Sequence, residues 1–197
     1  MMNRIRKSFL YGFFLLLHLP VVVSADYDSG LKAYSNGDFQ KALKEWKPLA
    51  EQGDAQAQHN LGVMYGKGKG VQKSDAEAFK WFLKAAEQGY AKAQSNLGVL
   101  YATGAGVEKN LGEALKWYTK AAEQGVTQAQ YNLSVMYFKG EGIKPDFVNA
   151  LFWVMLAESD YGPAVDLRKE ILKNATTNQI ETAKQRVKEW NSKKSLE

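Results

Sequence analysis

The chain has 197 residues and a mass of 22.0 kDa, with 45% hydrophobic and 24% charged residues, the composition of one globular unit. No cysteine is present, which excludes disulfide staples, thiolate metal sites and a cysteine nucleophile. The net charge of +5 falls to +2 (23 basic minus 21 acidic) once Arg4, Arg6 and Lys7 are set aside with the first 25 residues, and so small a balance argues against a nucleic-acid partner.

Residues 1–25 read as a signal peptide. Three basic residues precede an apolar run from Phe9 to Val23 that ends in Val23-Ser24-Ala25, a small-residue cleavage pattern. The run is short for a membrane-crossing helix and is interrupted by Pro20. The mature chain is expected to start at Asp26, in the periplasm or secreted. An uncleaved membrane anchor is the competing reading. His18 leaves with this segment, so the mature chain holds one imidazole, at His59.

Residues 26–53 read as a helix pair with a shorter link, Tyr34 to Ala42 against Tyr65 to Ala78, that resembles a tetratricopeptide turn and is expected to cap the stack, and residues 54–89, 90–125 and 126–161 follow as repeats. The first two repeats match without a gap at 22 of 36 positions, and the third keeps Gln58/Gln94/Gln130, Asn60/Asn96/Asn132 and Trp81/Trp117/Trp153 in step. A period of this size means stacked supersecondary units and predicts a solenoid. In the second helix of each unit Ala114, Trp117, Tyr118, Ala121 and Ala122 fall at helical spacing on one face, as do Ala78, Trp81, Phe82, Ala85 and Ala86. The tryptophans are therefore expected in the core. Ser74 with Glu77, and Asn110 with Glu113, predict capping boxes at the start of these helices, and Asp146 repeats the cap. Gly53, Gly89 and Gly125 predict their stops.

The first helices read AQAQHNLGVMY, AKAQSNLGVLY and TQAQYNLSVMY, and small Gly62, Gly98 and Ser134 would let the paired helix approach closely. Two-glycine turns follow (Gly68/Gly70, Gly104/Gly106, Gly140/Gly142), each ahead of a β-branched residue that can fold onto the core. Residues 162–197 predict two capping helices, roughly 163–174 and 177–190, with a capping box at Thr176 and Gln179 and a basic tail carrying Lys184, Arg186, Lys188, Lys193 and Lys194.

The motifs A-x-A-Q-x-N-L-G-x-M-Y, G-x-G-V and A-x-x-W-[YF]-x-x-A-A-E-Q-G resemble the Sel1-like repeat family, relatives of tetratricopeptide repeats, over residues 27 to about 161. The third copy departs where Ala157-Glu158-Ser159-Asp160-Tyr161 replaces A-A-E-Q-G and Ser134 replaces glycine. The resemblance implies an all-α fold, a right-handed α-solenoid of antiparallel helix pairs with helical caps, whose first helices line a concave surface holding a protein or peptide. It also implies adaptor or regulatory roles without catalysis.

If the first helices present their alternate side to that groove, the partner-binding residues are His59, Val63 and Lys67, then Lys92, Ser95, Val99 and Thr103, then Gln128, Tyr131, Val135, Phe138 and Lys139, with Gln56, Gly66 and Ala102 beside them. Val63, Val99 and Val135 would form an apolar floor rimmed by lysines, and Tyr131 and Phe138 would anchor one end. The expected partner is a protein segment with apolar and acidic side chains. Membrane contact is expected through the signal segment or weakly through the basic tail, and the chain is expected to be a monomer. Asn60, Asn96 and Asn132 fit either peptide-backbone binding or internal hydrogen bonding. No metal or cofactor is expected, because His59 has no second histidine or carboxylate pair at ligand spacing. The single catalytic pattern found is Ser29-Gly30-Leu31-Lys32, an S-x-x-K match without S-D-N or K-T-G, which reads as a chance match. The alternative function, a weak β-lactam-binding or hydrolysing enzyme, is what the resemblance implies through cysteine-rich members of the family, and this chain lacks their cysteines.

Overall fold

The computed structural model describes residues 25–157 and 161–196, so the signal peptide expected over residues 1–25 lies outside the described residues except for Ala25. Among the described residues there are ten helices and no strand: α1 (Tyr27–Ser35), α2 (Phe39–Glu51), α3 (Ala55–Lys67), α4 (Asp75–Glu87), α5 (Ala91–Thr103), α6 (Leu111–Glu123), α7 (Thr127–Lys139), α8 (Phe147–Ala157), α9 (Gly162–Leu172) and α10 (Thr177–Lys194). Consecutive helices pair from α1 to α8, and each pair stacks on the next, giving the all-α solenoid that the period predicts.

Short polar side chains start these helices. Asp54, Ser74, Asn110 and Asp146 each accept from the amide three residues on, at 2.7, 3.2, 3.0 and 2.9 Å. The returning half of the expected boxes is not made at α4 and α6. The amides of Ser74 and Asn110 already donate to Tyr65 O and Tyr101 O, at 3.0 and 2.9 Å, so Glu77 and Glu113 pair instead with Lys80 and Lys116, at 2.6 and 3.3 Å. The full box closes at α10, between Thr176 and Gln179. Gly53, Gly89 and Gly125 stop the second helices in the left-handed region, with φ of 101°, 88° and 86°.

Close approach inside each pair rests on the small residue of the first helix. A Cβ at Gly62 would fall 2.6 Å from the ring of Phe82, and one at Gly98 would fall 2.6 Å from the ring of Tyr118. In the third pair the position opposite is Val154, a smaller side chain, and Ser134 fits, its buried hydroxyl donating to Ala150 O at 2.8 Å. The departure of the third copy is thus a matched change on both helices. Between pairs, buried Gln58, Gln94 and Gln130 donate to Ala50 O, Ala86 O and Ala122 O at the ends of the preceding helices, at 3.0, 3.2 and 3.2 Å. Gln88 and Gln124 then donate to the oxygens of Gln58 and Gln94.

Trp117 and Trp153 are core residues, 7% exposed each, whereas Trp81 is half-buried under the ammonium of Lys84. The C-terminal helices follow from α8, whose sequence FVNALFWVMLA is apolar on every side and needs more than one cover. α9 and α10 both pack on it. α10 docks through Ala183 and Trp190, the latter edge-on to Phe152 and Trp153 at 5.7 and 5.8 Å. No helix among the described residues is long and apolar enough to cross a membrane.

Candidate functional site

The first helices α3 and α5 share a cleft and the Asn96–His59 contact, α5 lies beside α7, and α9 continues the row beside α7. Their equivalent positions therefore meet different neighbours, which sorts the expected partner-binding residues into three groups.

Val63, Lys67 and Val99 reach a cleft of about 160 Å³ between α3 and α5, together with Gly62, Gly66, Asn96 and Leu100, and Phe82 of α4 also lines it. Val99 is 37% exposed, an apolar side chain left open to solvent. Lys92 and Gln128 line a second, wider cleft at the starts of α5 and α7, with Tyr90, Val126 and Thr127. Thr103 is exposed, its hydroxyl donating back to Val99 O at 2.8 Å, and Lys139 is exposed beside Glu141 at 3.9 Å.

Ser95 is a correction to the expected groove, and His59 is half-closed. His59 turns to the following unit, where it meets Tyr90 and Asn96. Ser95 is buried, and His59 packs against Phe82 and Tyr90 at ring distances of 5.6 and 5.2 Å. The asparagines join it in an internal relay. Asn96 Nδ2 lies 3.1 Å from His59 Nε2, His59 Nδ1 lies 3.3 Å from Asn60 Oδ1, and Asn60 Nδ2 donates to the Tyr27 hydroxyl at 3.1 Å. Asn132 hydrogen-bonds Tyr118, whose burial pushes its hydroxyl up to about 12. Internal bonding is thus the role the structure gives this row. Burial lowers the His59 pKa, partly offset by the bond to Asn60 and reinforced by the charge of Lys92.

Tyr131, Val135 and Phe138 are the third group. They are half-buried against the C-terminal cluster, with Tyr131 edge-on to Tyr161 at 5.0 Å and Phe138 edge-on to Phe147 at 6.0 Å. α9 occupies the place that the next first helix of the row would take, so these rings are used in closing the solenoid. Part of the basic tail is likewise engaged: Arg186 donates to Asn149 at 2.8 Å and stacks over Phe152 at 4.5 Å, and Lys184 pairs with Glu181 at 2.8 Å.

Phe82 and Leu100 in the first cleft and Tyr90 in the second were not among the expected site residues. Phe82 reads as core because its spacing is that of the core, and only the missing side chain at Gly62 shows that its ring reaches through. Tyr90 carried a signal: it stands where Asp54 caps α3, yet an aromatic side chain cannot accept from the amides there, and α5 has no side-chain cap.

Ser29 and Lys32 of α1 line a cleft of about 510 Å³ at the N-terminal end, with Asp26, Asp28, Asn36 and Asp38. Among the described residues no group of three or more histidine, cysteine or carboxylate side chains is placed to hold a metal ion.

Comparison with known proteins bears on the same elements. The Sel1 repeat family model matches residues 55–90, 91–126 and 127–154. Over 51 residues the chain is 41% identical to an exopolysaccharide production negative regulator of Rhizobium leguminosarum bv. viciae, covering 26% of this chain and 19% of that protein. A Sel1 repeat protein from Oxalobacter formigenes superposes with a TM-score of 0.67 at 38% identity, over 71% of this chain and 58% of the other. A protective antigen present in uropathogenic Escherichia coli strains, displaying an SLR fold, superposes with a TM-score of 0.72 at 31% identity, over 82% of this chain and 37% of the other. The chain thus spans less than two thirds of each of these proteins. Sel1 repeat proteins generally mediate protein–protein interaction and are generally non-catalytic. With three consecutive matches coinciding with three stacked helix pairs, the chain belongs to the Sel1 repeat family.

Proposed function

We propose that this chain is an exported, monomeric binding module that holds a segment of another protein along the concave row of its first helices, in an adaptor or regulatory role. The observation that carries the reading is the cleft between α3 and α5, where exposed Val99 and half-buried Val63 sit beside Lys67. The sequences of α3, α5 and α7 contain no acidic residue and carry Lys67, Lys92 and Lys139, so the row attracts an apolar segment with carboxylates. The family's general role in protein–protein interaction supports the binding half of the reading, and the regulator from Rhizobium, by its printed name, supports the regulatory half.

Placing a photo-crosslinking amino acid at Val99, and separately at Lys116 on α6, tests it in the native compartment. A protein partner captured from position 99 and absent from position 116 is the expected result; equal capture at both positions overturns the groove. Export is checked by the mass of the protein released by osmotic shock, expected to begin at Asp26.

The second reading, a weak β-lactam-binding or hydrolysing enzyme, is favoured by one observation, that Ser29 and Lys32 line the same cleft. It predicts turnover of a chromogenic cephalosporin that Ser29→Ala abolishes. The binding-module reading predicts no turnover in either protein.

A further inference from the structure

α3 contains two glycines in its second half, and they are not there for the same reason. A Cβ at Gly62 would collide with the ring of Phe82, so the packing of α3 on α4 requires glycine at 62. A Cβ at Gly66 would meet just Ala78 Cβ, at 3.6 Å, an ordinary contact, and the backbone there is helical. The fold has room for a side chain at 66. A glycine inside a helix costs stability relative to alanine, so the residue is unexplained by packing. Both glycines line the cleft between α3 and α5.

The equivalent positions grade along the row from Gly66 to Ala102 to Phe138. Phe138 packs into the C-terminal cluster. In α3 the same position is bare, and the cleft beside it, open to solvent on one side, holds about 160 Å³. Val63, Val99, Leu100 and Phe82 give it apolar walls, and Lys67 and Asn96 are the polar groups among its lining residues. Lys67 is exposed and lies on a helix that carries no acidic residue.

We infer that the cleft at Gly66 is the anchor pocket of the binding row, taking one aliphatic side chain of an acidic protein segment whose carboxylate, within a turn of the inserted residue, meets the Lys67 ammonium. This rests on the binding-module reading above and adds its register: the segment is pinned between the first two repeats rather than at the aromatic end. Charge complementarity selects the occupant, since a cationic or purely apolar segment would leave Lys67 opposed or unmatched.

The probe is a phage-displayed library of random twelve-residue peptides selected on the chain starting at Asp26. Enriched peptides are measured by fluorescence polarisation against wild type, Gly66→Ala, Gly66→Leu and the triple change Lys67→Glu/Lys92→Glu/Lys139→Glu, with circular dichroism on each. The expected peptides carry leucine, isoleucine or methionine with an aspartate or glutamate within four positions. Affinity should fall at least tenfold in Gly66→Leu and by less in Gly66→Ala, with melting temperatures at or above wild type. If Gly66→Leu melts below wild type, the Gly66→Ala arm decides on the same criterion of a drop in affinity. Unchanged affinity in the Gly66 variants, with binding lost in the lysine variant, overturns the anchor and leaves the groove standing. Peptides indifferent to all the variants, or no enrichment at all, overturn both.

Discussion

His59 Nε2 stands 3.1 Å from the amide nitrogen of Asn96, one repeat away. With the Asn96 amide nitrogen donating, Nε2 accepts and the ring proton sits on Nδ1, facing Asn60 Oδ1, the neutral form that burial favours. The bond ties repeat to repeat through a titratable ring. Its folded pKa is lowered, so the unfolded chain binds the proton more readily. The associated stability is present above the unfolded value near 6.5 and is lost as pH falls through it towards the folded pKa. Denaturant melts of the chain starting at Asp26 should show wild type losing stability between pH 7.5 and pH 5.5 relative to His59→Gln. Parallel curves for the two proteins would mean that His59 does not contribute to the pH dependence.

Trp117 is almost fully buried among Ala-rich helices, with Lys120 capping its ring at 4.5 Å. Trp117→Ala should cost about 3 to 5 kcal/mol, a fall in melting temperature on the order of 10 °C. Trp81→Ala should cost clearly less, because Trp81 is half-exposed. A loss of less than a couple of degrees at Trp117 would contradict its core position.

The aromatic pair at the end of the row contributes to stability. Replacing Tyr131 and Phe138 together by alanine strips the contacts to Tyr161 and Phe147. The loss should be on the order of 2 to 4 kcal/mol of stability, with faster proteolysis of α9 and α10. Full stability with weakened partner binding would restore these rings to the groove.

The matched change in the third copy can be transplanted. Gly98→Ser should destabilise by more than about 2 kcal/mol, since its Cβ would fall against the Tyr118 ring. Combining it with Tyr118→Val recreates the Ser134 and Val154 pairing, and the two changes should couple favourably by at least about 1 kcal/mol in a double-mutant cycle. Simple additivity would show that the third pair is held apart for another reason.

The period of 36 made the helix pairs, their caps and the buried tryptophan at 117 readable, because a residue recurring at one helical spacing meets the same neighbour each time. The groove was less legible for the same reason inverted. Position 59 looks variable in sequence, as His59, Ser95 and Tyr131, but it varies with the neighbour it packs on. Variation alone does not separate an open face from an inter-repeat joint. Nor does a one-dimensional pattern show that α9 takes the next place in the row and engages Tyr131 and Phe138. The apolar circumference of α8 was the available sign that more than one helix must lie on it.

The glutamine rungs from Gln58 to Ala50 O, Gln94 to Ala86 O and Gln130 to Ala122 O present the same donor and acceptor at every junction. A duplicate of residues 90–125 spliced after Gly125 would meet familiar chemistry above and below, so the architecture admits extra storeys without redesign. The plug built from Phe152, Trp153 and Trp190 has no such copy elsewhere in the sequence. Length in this scaffold can therefore be changed by gene duplication within the array, whereas its C-terminal lid has to be inherited whole.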